Sequence, residues 1–172
     1  MFPGIDLVYN DMHMECCNKD QKPASNVMEI NYCMEGRCEC VFEQNEYGYI
    51  AAGDLSFCSL KKSGHVSEFP TSHYHGITIT LDFSKITDEM KRILQLLSVN
   101  LEKIRNISKT HSFTIIRANH SIEHIFSELY KVPEEIRYGY IRVKILELLL
   151  VLTGFDLKKN NSEHIYLSLI HI

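Results

Sequence analysis

The chain lacks what would carry it into or across a membrane. Its opening, Met1-Phe2-Pro3-Gly4-Ile5-Asp6, has neither the basic stretch nor the apolar core of a signal peptide, and no long uninterrupted apolar run follows. The expectation is a cytoplasmic protein with no membrane partner. In that reducing compartment its 6 cysteines are expected as free thiols rather than disulfides. The Cys-x-x-Cys spacing that presents two thiolates to a metal from one tight turn is missing: Cys16 and Cys17 are adjacent, Cys38 and Cys40 flank one residue, and Cys33 and Cys58 stand alone. They read as small apolar core residues. Met12-His13-Met14 resembles a soft copper ligand set, but fits an N-terminal arm packed on the rest of the protein.

A surplus of positive charge is also missing. Net charge is −4, and residues 1–60 hold ten acids against three bases (Lys19, Lys22 and Arg37), which excludes a nucleic-acid surface there. Residues 85–117 reverse the sign with seven bases and three acids, but spread them along the chain as a solvated face would. Catalytic signatures are absent as well: there is no Gly-x-Ser-x-Gly and no glycine-rich phosphate loop. The carboxylate pairs Asp88-Glu89 and Glu134-Glu135 fall at helix starts, where the helix dipole accounts for them. The expectation is a protein that is not an enzyme and needs no cofactor. There is no internal repeat and no low-complexity tract.

What is present is a change of period. The 172 residues, 45% hydrophobic and 23% charged, suffice for a real core. From Met28 to Phe83 short alternating runs are separated by turn residues, the pattern of antiparallel strands. Glu29 to Met34 alternates up to an expected turn at Glu35-Gly36. Arg37 to Glu43 then places Cys38, Cys40 and Phe42 on one face. Tyr47 to Ile50 and Leu55 to Leu60 follow, separated by Gly53-Asp54, and Ile77, Ile79, Leu81 and Phe83 alternate with Thr78, Thr80 and Asp82. Strands at this spacing with no helix between them imply a sandwich or barrel.

Helical spacing then takes over. Thr87 and Asn119 are expected N-caps, and Pro133 suits a helix start. Helices are expected at about residues 87–101, 119–131 and 133–153, with a strand at Phe113 to Arg117. The third helix presents Arg137, Arg142 and Lys144 and then the apolar wall Ile145 to Leu152. A DNA-reading helix needs polar and basic side chains along its contact face; this one suits packing or pairing of subunits.

Four segments in order, Asn31 to Glu39, Gly53-Asp54-Leu55, Phe69 to Ile77 and Lys144 to Leu149, resemble the N-terminal domain of AraC-type bacterial transcriptional regulators. The resemblance covers the chain up to its polar stretch Asp156 to Glu163, where the family's linker would start. It implies an α+β fold: a cupin-like antiparallel β-barrel of jelly-roll type in residues 1–84 with an N-terminal arm, a helical dimerisation segment in 85–155, and a linker and tail in 156–172. It implies further an unknown small-molecule effector, a homodimer, and DNA contact only through a C-terminal helix-turn-helix domain that this sequence does not include.

His73 and His75 are the sharpest local feature, because alternate residues on a strand share a side and two imidazoles can chelate one ion. With His65 as third ligand they offer a competing reading, a small metal-dependent cupin enzyme. The first expectation holds no metal. It assigns Tyr32, Tyr49, His65, His73 and His75 to the effector, and Ile136, Tyr140, Val143, Leu146 and Leu150 to dimerisation.

Overall fold

The computed structural model describes residues 1–19, 24–42, 46–60, 65–107 and 113–155. The expected 156–172 linker and tail lies outside them. Strands are β1 (Ile5–Met12), β2 (Cys16–Lys19), β3 (Val27–Phe42), β4 (Glu46–Ala51), β5 (Asp54–Ser59), β6 (His65–Glu68), β7 (Tyr74–Asp82) and β8 (Phe113–Arg117). Helices are α1 (Asp88–Leu96), α2 (Leu101–Ile107), α3 (His120–Leu129) and α4 (Arg137–Gly154), the last entered through a 3-10 turn at Glu134–Ile136. The fold is α+β, a cupin-like antiparallel barrel with helices on one side.

One sheet runs β1-β7-β3-β5-β8. In the other, β6 lies between β2 and the far half of β3, which also pairs with β4. Thus β3 belongs to both. The turn expected at Glu35-Gly36 is not there: the strand continues for 16 residues and takes a bulge between Cys33 and Glu35. An extra residue in a strand bends it and reverses which side chains face inward. Before the bulge Met28, Ile30 and Tyr32 face the helices, while beyond it Cys38 and Cys40 point between the sheets.

The N-terminal arm is a strand in its own right, since β1 pairs with β7 from Ile5 opposite Leu81 to Met12 opposite Tyr74. On the helix-facing side of the first sheet, Ile5, Ile30, Leu55, Phe57, Ile77, Ile79 and Leu81 are fully buried. Against them pack Ile122, Ile125, Phe126 and Leu129 of α3 and Ile141, Ile145, Leu148, Leu149 and Leu152 of α4. Each such side chain contributes about 1.5–3 kcal/mol by leaving water, which makes this layer the main core.

Thr87 and Asn119 cap as expected, their side chains accepting from the amides of Met90 at 3.3 Å and Ile122 at 3.0 Å. The helix expected over 87–101 stops at Leu96, and a second helix that was not expected follows at Leu101–Ile107. Ser98 adopts a left-handed φ of 59°, the Val99 amide turns back to the Leu94 carbonyl at 2.8 Å, and Asn100 caps the next helix through the Lys103 amide at 2.9 Å.

Between α3 and α4, Lys144 bonds Glu128 and also reaches Glu147 at 2.8 Å, and the Tyr140 hydroxyl donates to Glu128 at 2.8 Å. Lys144 first and Tyr140 second hold the Glu128 carboxyl below the usual carboxylate range. A depressed carboxylate contributes stability that is fully present above its ordinary value of about 4.3 and lost as pH falls through the lowered one. Melting temperature is therefore expected to fall below about pH 4, and to fall less steeply in Glu128→Gln. Parallel acid limbs in the two proteins would show that this cluster does not contribute.

Candidate functional site

In the space between the sheets, polar and sulfur-bearing side chains of the described residues converge. Asn10 of β1, Glu29 and Asn31 of β3 and Thr78 of β7 form its polar wall. There Asn10 Nδ2 donates to Thr78 Oγ1 at 2.7 Å, Thr78 Oγ1 donates to Asn31 Oδ1 at 2.7 Å, and Asn31 Nδ2 reaches Ser56 Oγ at 3.4 Å. Met12, Cys38, Cys40 and Cys58 supply sulfur, while Phe69, Tyr74, Phe113 and Ile50 close the apolar side with Ser67 among them. The cavity is partly open to solvent and has a volume of about 50 Å³. No lysine, arginine or histidine lines it among the described residues.

Thr78 alternates with Ile77 and Ile79 and so falls on the opposite face of β7 in sequence. That face lines the cavity at Thr78, so this polar position is part of an interior wall. The sequence reading missed Asn10, Glu29, Asn31 and Thr78 for this reason: alternation separates two faces but does not say what lies over either.

The residues assigned to the effector from sequence lie elsewhere. Tyr32 faces the helices and stacks on Phe126 of α3, ring centroids 4.4 Å apart and planes within 9°. Tyr49 pairs with Glu39 on the outer side of the second sheet and lies under the Arg37 guanidinium at 5.0 Å. His75 is next to the end of α3, 5.6 Å from the Tyr130 ring. His73 sits just before β7, with its Nε2 3.4 Å from Glu35 Oε2 and its ring 5.2 Å from His13. The structure thus brings His73 near His75, ring centroids 6.1 Å apart, but places neither beside Tyr32 or Tyr49 in one pocket. The His65 side chain lies outside the described residues, and with it the three-histidine metal set. Among the described residues no three His, Cys, Asp or Glu side chains form a group able to hold a metal ion.

Burial also sets the chemistry of the acids around this region. Desolvation pushes the Cys33 thiol up to about 12 and the Tyr130 hydroxyl up to about 12. Tyr74 is raised well above the usual phenol value for the same reason. These groups stay protonated at neutral pH, so none supplies a ready nucleophile. The Tyr130 hydroxyl and the Thr114 hydroxyl are buried with no hydrogen-bond partner among the described residues.

A cupin-like barrel carrying a layer of helices on one sheet is the class of fold this chain defines. Among solved structures it is shared by ToxT, an AraC-family protein of Vibrio cholerae. ToxT of strain O395 bound to (E)-4-(8-methylnaphthalen-1-yl)but-3-enoic acid superposes with a TM-score of 0.55 at 13% identity, over 92% of this chain and 57% of that one. Wild-type ToxT of strain SCE256 with an unsaturated fatty acid bound gives a TM-score of 0.55 at 12% identity, over 92% and 55%. This chain therefore spans little more than half the length of the ToxT chains it matches. No family model matches the sequence, and no curated protein does. At this identity the likeness is one of fold, and that fold is the one the AraC-type resemblance implies.

Proposed function

We propose that this chain is the sensing and dimerisation domain of an AraC-type transcriptional regulator, working in the cytoplasm, with DNA contact left to a separate helix-turn-helix domain. The observation that carries the reading is the fold shared with ToxT along 92% of the chain, barrel and helices together. The barrel interior is where an effector would be read. ToxT takes an unsaturated fatty acid; an organic effector here would have to widen the interior, since about 50 Å³ is far below the ~300 Å³ that organic ligand pockets start from. Tyr32, stacked on α3, and His75, beside its end, are placed to pass a shift of the sheet to the helices.

The dimer surface is the outer face of α4 together with the 3-10 turn that enters it. Ile136, Val143 and Leu150 recur every seven residues and remain 54%, 61% and 46% exposed. Leu146 lies partly buried between the last two, and Tyr140 borders the stripe while its hydroxyl bonds Glu128. At Gly139 a Cβ would meet nothing within 4 Å, which leaves room for a second helix to approach closely.

Light scattering on the purified domain should give twice the 20.0 kDa chain mass. Val143→Asp is expected to give a folded monomer, because a carboxylate on each subunit would have to be buried opposite its copy. A wild-type monomer at micromolar concentration, or a V143D dimer of unchanged affinity, would remove the dimerisation half of the proposal. Sequence-specific operator binding by this domain alone would overturn the division of labour.

A further inference from the structure

We propose that the barrel interior is a binding site for a soft, thiophilic closed-shell cation of the Cu(I) type, held by the thiolates of Cys38 and Cys40. The inference concerns ion binding alone and stands or falls separately from the regulatory reading.

The bulge in β3 makes the pair. By reversing the inward parity it turns both residues to the interior, where their Sγ atoms lie 3.7 Å apart and both side chains are buried. Two thiolates bonded to one ion at about 2.3 Å, with a tetrahedral angle between the bonds, stand ~3.8 Å apart. The sulfurs are thus already spaced for one ion between them. Opening to a linear arrangement would need about 0.9 Å more, within reach of small side-chain rotations. A disulfide is the poorer use of the pair, because residues two apart on a strand hold their Cα atoms at ~6.6 Å, near the upper limit for a bridge.

The surroundings select the class of ion. Met12 and Cys58 line the same cavity, so four of its wall residues bring sulfur, and the Ser67 hydroxyl lies 3.9 Å from Cys40 Sγ. Thioether and thiolate together favour Cu(I) over harder divalent ions. Zn(II), which prefers four ligands, is a poorer match than Cu(I) to a wall that offers thiolate and thioether together. A volume of about 50 Å³ accepts an ion without expansion of the barrel. Binding releases the two thiol protons to solvent and forms two sulfur–metal bonds, with no change of oxidation state.

The test is an anaerobic titration of the reduced protein with Cu(I) buffered by a chromophoric chelator, read by the chelator's colour and by thiolate-to-metal absorption in the ultraviolet. One tight equivalent is expected, and Cys38→Ser and Cys40→Ser should each weaken it about a hundredfold or more, the upper range for disturbing a metal's surroundings. Replacing Cys16 and Cys17, which lie outside the cavity lining, should leave it unchanged. If either cavity variant misfolds, X-ray absorption of the one-equivalent Cu(I) complex decides instead: in a protein whose exposed Cys16 and partly exposed Cys17 are replaced by serine, the metal should still show sulfur neighbours only. No competition with the chelator, unaltered affinity in folded C38S and C40S, or loss of the bound Cu(I) on replacing Cys16 and Cys17 would each overturn the site.

Discussion

Phe126→Ala is expected to destabilise the protein by about 3–5 kcal/mol, the range for deleting a fully buried aromatic ring. Phe126 has no exposure and lies flat on Tyr32, 4.4 Å between centroids, so its removal opens a cavity between the sheet and α3 where neither neighbour can collapse freely. Stacked rings add ~0.5–1.5 kcal/mol beyond buried area. Urea denaturation should show the midpoint drop, and Tyr32→Phe, which keeps the ring, should cost far less. A loss under about 1.5 kcal/mol would mean that the sheet and helices are not held together here. The same contact bears on the proposed function. If α3 reads the barrel through Tyr32, Tyr32→Ala should uncouple the two layers while leaving the α4 stripe, and so the dimer, in place.

Gly36→Ala is expected to be nearly as damaging, and by a different cause. Gly36 has a φ of 81°, where an alanine costs about 1–2 kcal/mol by itself. A Cβ there would also stand 2.1 Å from the His73 carbonyl oxygen and 3.0 Å from its carbon, both backbone atoms of the segment entering β7. To relieve that overlap β3 and β7 must part beside the bulge that sets the inward parity of Cys38 and Cys40. Gly53 provides the control. Its φ of 84° is equally left-handed, but a Cβ would meet the tip of the Arg117 side chain, which can swing away. Gly53→Ala should therefore lose the backbone share and, beyond it, only what the half-exposed Arg117 gains from the Ala52 carbonyl and Asp54. Equal losses in the two variants would show that the close approach at His73 is unimportant.

How legible this was in the sequence varies by element. Leu55 to Ser59, Ile77 to Leu81 and Phe113 to Arg117 are strands where the sequence pattern places them, and Pro133 to Glu135 leads into the last helix as its composition implies. Both N-caps act at the expected residues. By contrast Glu35-Gly36 reads locally as a turn, because glycine after a polar residue is turn chemistry. In the structure the strand runs on through both residues just past the bulge, and the His73 backbone lies so close to Gly36 that no side chain fits there. Likewise Ile5 to Met12 mixes polar and apolar residues too irregularly to announce a strand, and its eight pairs with β7 settle the matter.

The candidate site was least visible. Histidines and tyrosines attract attention because they can bind almost anything, yet the described ones among those chosen lie on the outer sheet face, at the end of α3, or against the helices. The cavity is lined instead by asparagine, threonine, glutamate and thiols that seemed ordinary in sequence. By itself the sequence determined what depends on neighbours along the chain: the periods of strand and helix, their caps, and the switch from β to α after Phe83. The tertiary structure alone decided which face of each strand is inside, where β3 bends, and that Cys38 and Cys40 share a cavity with Met12 and Cys58. The physical reason is that period and capping arise from hydrogen bonds and side-chain contacts a few residues apart. The meaning of a face is set by whichever distant segment packs over it.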